Sequence, residues 1–145
     1  MLEFASSISP QSAQRGYLPL GAYSIIGDCR TAALVGADAS IDWCCLPDFD
    51  SHAVLSRIIG APRGGYLALT EPENGASPVA LRQAYLPDTA ILMTEVQLNT
   101  GRLLVTDFMP MHGIMPLNGH GDDPCIVRQI TALEGECQFA VRFKV

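Results

Sequence analysis

From Cys137 to Val145 apolar and polar positions alternate without a break, with Cys137, Phe139, Val141, Phe143 and Val145 on one side and Gln138, Ala140, Arg142 and Lys144 on the other. Strict period two predicts a strand with one face in the core and the other in water. Residues 126–133 also read as strand, and Glu134-Gly135 between the two runs predicts a two-residue hairpin turn. A second hairpin is predicted for 90–98 and 103–109 around Asn99-Thr100-Gly101-Arg102, because Asn and Gly tolerate the positive φ of tight turns. Farther upstream, 23–35 reads as strand, turn and strand. Residues 40–51 then add a strand that runs into a loop, where Pro47 removes a backbone donor and ends the strand. Connections this short imply antiparallel pairing.

One segment favours helix. Asp50 or Ser51 is placed to cap it, Val54, Leu55, Ile58 and Ile59 supply an apolar face, and Gly60 with Pro62 stops it after two turns at most. Residues 1–16 are rich in Ser, Gln, Pro and Gly and read as a flexible leader, and 113–124 read as a surface loop. The expected fold is mainly β, an antiparallel β-sandwich with one short helix over residues 17–145.

Composition narrows the function classes. The chain has 145 residues, the size of a single domain, and a net charge of −6 without any Lys/Arg cluster, which argues against nucleic acid and anionic membrane as partners. The amino terminus lacks an apolar signal core, and the apolar runs are too short to span a bilayer, so a cytoplasmic location is expected. Five cysteines, with no Cys-x-x-Cys pair, read as buried reduced thiols, and adjacent Cys44 and Cys45 are poorly placed to bond to each other. Only 17% of residues are charged, which suits either an apolar face buried against another domain or an ordinary well-packed β domain.

The best candidate site is the stretch from Trp43 to Ser51. Sugars offer apolar C–H faces to aromatic rings and hydroxyls to carboxylates, and Trp43, Phe49, Asp42, Asp48 and Asp50 supply both kinds of group. Competing structural uses are Trp43 in the core, Asp50 as a helix cap, and Asp42 on the solvent side of its strand. Gly27-Asp28-Cys29-Arg30-Thr31 is the second place. There Asp28 can hold turn amides, and Arg30 can either join that network or reach a ligand. His112, His120, Asp122 and Asp123 share one loop in a spacing that fits no recognised metal site. No phosphate-binding loop and no nucleophile elbow occurs, and no cofactor or metal is expected.

The blocks Tyr23-Ser-Ile-Ile-Gly-Asp-Cys-Arg-Thr-Ala-Ala-Leu-Val, Ser40-Ile-Asp-Trp-Cys-Cys-Leu-Pro-Asp-Phe-Asp-Ser, Arg82-Gln-Ala-Tyr-Leu-Pro-Asp-Thr, Leu92-Met-Thr-Glu and Val105-Thr-Asp-Phe-Met-Pro resemble, in the same order, the amino-terminal domain of bacterial trehalase-like and glucoamylase-like proteins of glycoside hydrolase family 15. The resemblance implies a β-sandwich that partners a carboxy-terminal helical-toroid catalytic domain of the same chain. That second domain would carry both acids for inverting hydrolysis of α-glucosidic bonds, so no catalytic residue is expected here. It also implies that Arg30, Trp43, Asp48, Phe49, Asp50 and Ser51 lie near the interface of the two domains or the rim of the substrate pocket, where an α-glucoside would pass. Three positions depart from the family pattern: Ala39 stands where Gly is usual, Asp48 where a basic residue is usual, and His52 where a second Pro is usual. A free-standing carbohydrate-binding module or a homo-oligomeric assembly module is the alternative.

Overall fold

A computed structural model describes residues 16–61, 63–111 and 123–145. The leader expected over residues 1–16 falls outside this set but for Gly16, as do His112, His120 and Asp122 of the expected loop. After a 3-10 turn at Leu20–Ala22 come β1 (Tyr23–Gly27), β2 (Ala32–Gly36), β3 (Ile41–Cys45), β4 (Ala53–Leu55), the short helix α1 (Arg57–Gly60) and β5 (Tyr66–Thr70). They are followed by β6 (Val79–Tyr85), β7 (Leu92–Leu98), β8 (Gly101–Phe108), β9 (Val127–Gly135) and β10 (Ala140–Lys144). One sheet runs β1-β2-β3-β5-β10 with β4 also on β3, the other runs β6-β7-β8-β9, and all pairings are antiparallel.

Both sheets turn apolar residues inward, and the core forms between them. Ile26, Ala33, Val35, Ile41, Cys44 and Leu55 meet Leu92 and Met109, while Ala39 and Leu69 meet Val96, Leu98, Leu103 and Val105. Each large aliphatic side chain so buried contributes about 1.5–3 kcal/mol. Two polar side chains of β6 stitch the sheets at the β1 edge. Gln83 accepts from Ser24 Oγ and donates to the Gly36 carbonyl and Thr94 Oγ1, and the Tyr85 hydroxyl both accepts from the Ile25 amide and donates to its carbonyl.

The hairpin expected around Asn99 forms, with Leu98 opposite Gly101. Neither Asn99 nor Gly101 adopts positive φ, however. Gly101 is needed for a different reason, since a Cβ there would lie 2.2 Å from the Glu134 carbonyl oxygen.

Three expectations are corrected. Residues 126–133 and 137–145 do not form a hairpin: Gly135, at φ 76°, ends β9 and the chain crosses to the other sheet, where β10 pairs with β5. Period two marks a strand and its faces but not its partner. The apolar face of β10 is not in the core either, because Val141, Phe143 and Val145 are exposed. The first half of the expected helix is strand, since Leu55 pairs with Cys44 and Ala53 with Cys45. Only Arg57–Gly60 is helical, Ser56 stands at its N-cap without a side-chain bond, and Asp50 and Ser51 cap nothing. Sheet pairing prevails over a helical pattern too short and too β-branched to hold on its own.

Ala39 sits in the left-handed region at φ 61°, fully buried, in the turn closed by Gly36 N–H to the Ser40 carbonyl at 2.7 Å. The tight turn therefore forms without glycine. Left-handed backbone costs an alanine about 1–2 kcal/mol. Its buried methyl returns about 0.8 kcal/mol, and alanine restricts the unfolded chain more than glycine does, so the departure is nearly neutral.

All five cysteines are free thiols. Cys44 and Cys45 are buried, and burial pushes the Cys44 thiol up to about 11, but Cys29 is exposed in the β1–β2 turn, against the expectation that all were buried.

Candidate functional site

The two sequence candidates, the β1–β2 turn and the loop after β3, meet at one end of the first sheet. Asp28 is buried at the start of the turn, and its Oδ1 accepts from the amides of Arg30 at 2.9 Å and Thr31 at 2.8 Å. This is the turn network expected of it. Thr31 Oγ1 then donates to the Cys45 carbonyl at the end of β3, and the Phe49 amide donates to the Arg30 carbonyl at 3.0 Å. Turn and loop are thus clamped by main-chain contacts before any side chain reaches solvent.

The loop braces itself as well. The Asp48 amide donates to Ser51 Oγ at 3.1 Å and the Ser51 amide to the Asp48 carbonyl at 3.0 Å. On this frame Arg30 grips Asp48, with Nε 3.0 Å and the second guanidine nitrogen 2.8 Å from Oδ1. The acidic residue at position 48 therefore has a cation beside it from the neighbouring turn. Phe49 stands edge-on to Trp43, ring centroids 5.5 Å apart at 64°, and is 62% exposed. Trp43 is half-buried, and Asp50 is exposed at the tip. The structure brings Arg30, Trp43, Asp48, Phe49 and Ser51 together and leaves Asp50 at the margin.

Asp42 is the residue that the sequence misplaced. It is fully buried, not on a wet face, because a bulge in the β2–β3 pairing sets Leu34 opposite Trp43 but Val35 opposite Ile41. Arg57 of α1 donates to Asp42 Oδ1 through Nε at 2.9 Å and a second nitrogen at 2.6 Å, and stacks 4.3 Å from the Tyr66 ring centre. The Tyr23 hydroxyl donates to Oδ2 and accepts from the Leu18 amide. Burial raises the pKa of Asp42, against the pull of the Tyr23 hydrogen bond and Arg57. Burial first, and then Asp42, raise that of Tyr23 and keep its hydroxyl a donor. A second buried pair, also missed, joins Asp107 Oδ1 and Oδ2 to Arg128 at 2.7 and 2.9 Å.

Chemically the exposed site offers an aromatic edge and an ion pair, groups that hold C–H faces and hydroxyls. Asp48 is 46% exposed and paired with a guanidinium, whereas Asp42 is sealed from any ligand. Among the described residues no three His, Cys, Asp or Glu side chains gather to hold a metal ion, and no helix is long and apolar enough to cross a membrane.

The family model described as "Trehalase-like, N-terminal" matches residues 14–144. Among curated proteins the chain is similar to a trehalase of Thermoplasma volcanium, 40% identical over 97 residues that make up 66% of this chain and 15% of that protein. It is also similar to a trehalase of Mycolicibacterium smegmatis, 34% identical over 64% of this chain and 13% of the relative, and to one of Mycobacterium tuberculosis, 32% identical over 73% and 15%. The chain therefore spans only about a seventh of these relatives' length. No solved structure matches it.

Proposed function

We propose that this chain, which belongs to the trehalase-like N-terminal family, is a non-catalytic domain of a larger α-glucoside hydrolase, buttressing a separate catalytic domain and setting residues 48–51 at the rim of its pocket. The observation that carries this reading is a loop braced within itself and by the β1–β2 turn that still exposes Phe49, while its best-held carboxylate is committed to Arg30. A rigid exposed aromatic without a catalytic acid suits contact and positioning, not bond cleavage. The carboxylates for inverting hydrolysis in the manner of glycoside hydrolase family 15 are assigned to the helical domain that follows in the parent chain. The free cysteines support a reducing, cytoplasmic setting.

The purified chain is expected to release no glucose from trehalose or maltose. Release that disappears in the Asp48→Ala, Asp50→Ala double variant would overturn the reading. An antibody to this domain is expected to detect a native polypeptide several times heavier than 15.6 kDa in the source cells, and a band near that mass would count against a larger hydrolase.

The Trp43–Phe49 contact favours a second reading, a carbohydrate-binding module, because the half-buried indole lies beside an exposed ring. This reading expects a saturable change of Trp43 emission on titrating trehalose or maltose into the isolated domain. Emission that stays constant in the wild type, or that changes equally in Phe49→Ala, removes it.

A further inference from the structure

Strand β1 ends its sheet without the charge, proline or bulge that commonly blunts an edge. Tyr23-Ser24-Ile25-Ile26-Gly27 is uncharged and free of proline, and its pairing with β2 runs through five consecutive residues without a shift of register. Ile25, at its centre, is 57% exposed. An edge of this kind is a template for a further strand. Strand β6, terminal in the facing sheet and joined to β1 through Gln83 and Tyr85, is protected in the ordinary way, by a bulge between Ala80 and Arg82 and by the exposed charge of Arg82.

The outward main-chain groups of β1 are nevertheless occupied. Just before the strand, the Ala22 carbonyl accepts from the Ala37 amide at 2.9 Å, on the β2 side. Bonding direction alternates along an antiparallel strand, so Tyr23, Ile25 and Gly27 turn their amides and carbonyls away from β2. The Tyr23 amide donates to the Leu20 carbonyl of the 3-10 turn. The Ile25 amide donates to the Tyr85 hydroxyl at 2.9 Å, and that hydroxyl donates to the Ile25 carbonyl at 2.7 Å. One hydroxyl thus fills both positions where a neighbouring strand would place its carbonyl and its amide. We infer that Tyr85 is a latch on this edge: its hydroxyl keeps β1 from accepting another strand, and a second copy of the chain pairs there when the hydroxyl is removed. The second copy fits because two-fold β1 pairing centred on Ile25 sets Ile25 on Ile25, Ser24 against Ile26 and Tyr23 against Gly27, with no like charges opposed. The inference is independent of the proposed function.

The test is sedimentation of the 145-residue chain beside its Tyr85→Phe variant, which keeps the ring and loses the hydroxyl. Self-association should tighten about tenfold or more in Tyr85→Phe. Ile25→Lys in that background should return it to the wild-type level, because equal charges would then face each other across the pair. In the wild-type chain the Ile25 amide should exchange with solvent about tenfold or more slowly than an unprotected amide although its strand is terminal, a measurement that needs no folded variant. Unchanged self-association in a folded Tyr85→Phe chain, tightening that Ile25→Lys does not reverse, or an unprotected Ile25 amide in the wild type would each overturn the proposal. A Tyr85→Phe chain that loses its sheet circular dichroism overturns it too, since the hydroxyl would then hold the fold itself rather than close an edge.

Discussion

Arg128→Ala is expected to lower the unfolding free energy by about 3–5 kcal/mol, because it strands Asp107 as an unpaired charge where no solvent reaches it. Domains of this kind total about 5–15 kcal/mol, so the variant should sit near the edge of unfolding. Urea denaturation followed by circular dichroism measures the effect as a fall in midpoint at unchanged slope. The lost charge partner is the cause, rather than lost packing alone, if Asp107→Leu combined with Arg128→Met regains most of the loss. A pair of apolar residues in the place of a buried ion pair is commonly neutral or stabilising. Arg128 also carries a guanidine nitrogen without a partner, which makes the pair an imperfect solution and favours that recovery. A cost under about 1 kcal/mol for Arg128→Ala would put the pair in the range of surface ion pairs and refute the argument.

The second large effect is expected at Arg57, and it depends on pH. Arg57→Ala removes the cation that opposes the burial-driven rise in the Asp42 pKa, so the carboxyl moves further up in the folded state while the unfolded value stays near 3.9. A raised folded pKa gives stability that is fully present below the unfolded pKa and is lost as pH rises through the folded one. The deficit of the variant should therefore be greatest at neutral pH, about 3–5 kcal/mol. It should shrink on acidification as Asp42 takes up a proton and ceases to need Arg57. Asp42→Asn in the Arg57→Ala background should flatten this dependence. A deficit that is constant from pH 7 to 4 would show that Arg57 acts through the Tyr66 face and its packing, not through Asp42.

Asp107 was missed although its place could have been counted, because Leu103, Val105, Asp107 and Met109 fall on one side of a strand in strict period two, which sets the acid at a core position where it needs a polar or charged partner. Asp42 defeats the same count because the bulge beside it breaks the alternation, and no local sequence signal marks a bulge. The β-sandwich, the Asn99 hairpin and the end of β3 just before Pro47 could be read because they depend on neighbouring residues. The Arg30–Asp48 contact could not, since it joins two loops that only the completed sheet brings together. The crossing at Gly135 failed for a related reason: hairpin turns and sheet-to-sheet crossings use the same residues, and which strand receives the chain is decided by distant pairing.

That crossing also governs the order of assembly. The β6–β9 sheet is a meander whose neighbours in space are neighbours in sequence, so each strand can add to the one made just before it, at small loop-closure cost. The opposite sheet waits for β10 to return to β5, with the whole meander lying between them in the chain. During synthesis on the ribosome, β5 therefore spends the intervening time as a bare edge. A fragment that ends at Gly135, before β10, should be sensitive to protease at β5 and already protected across the meander.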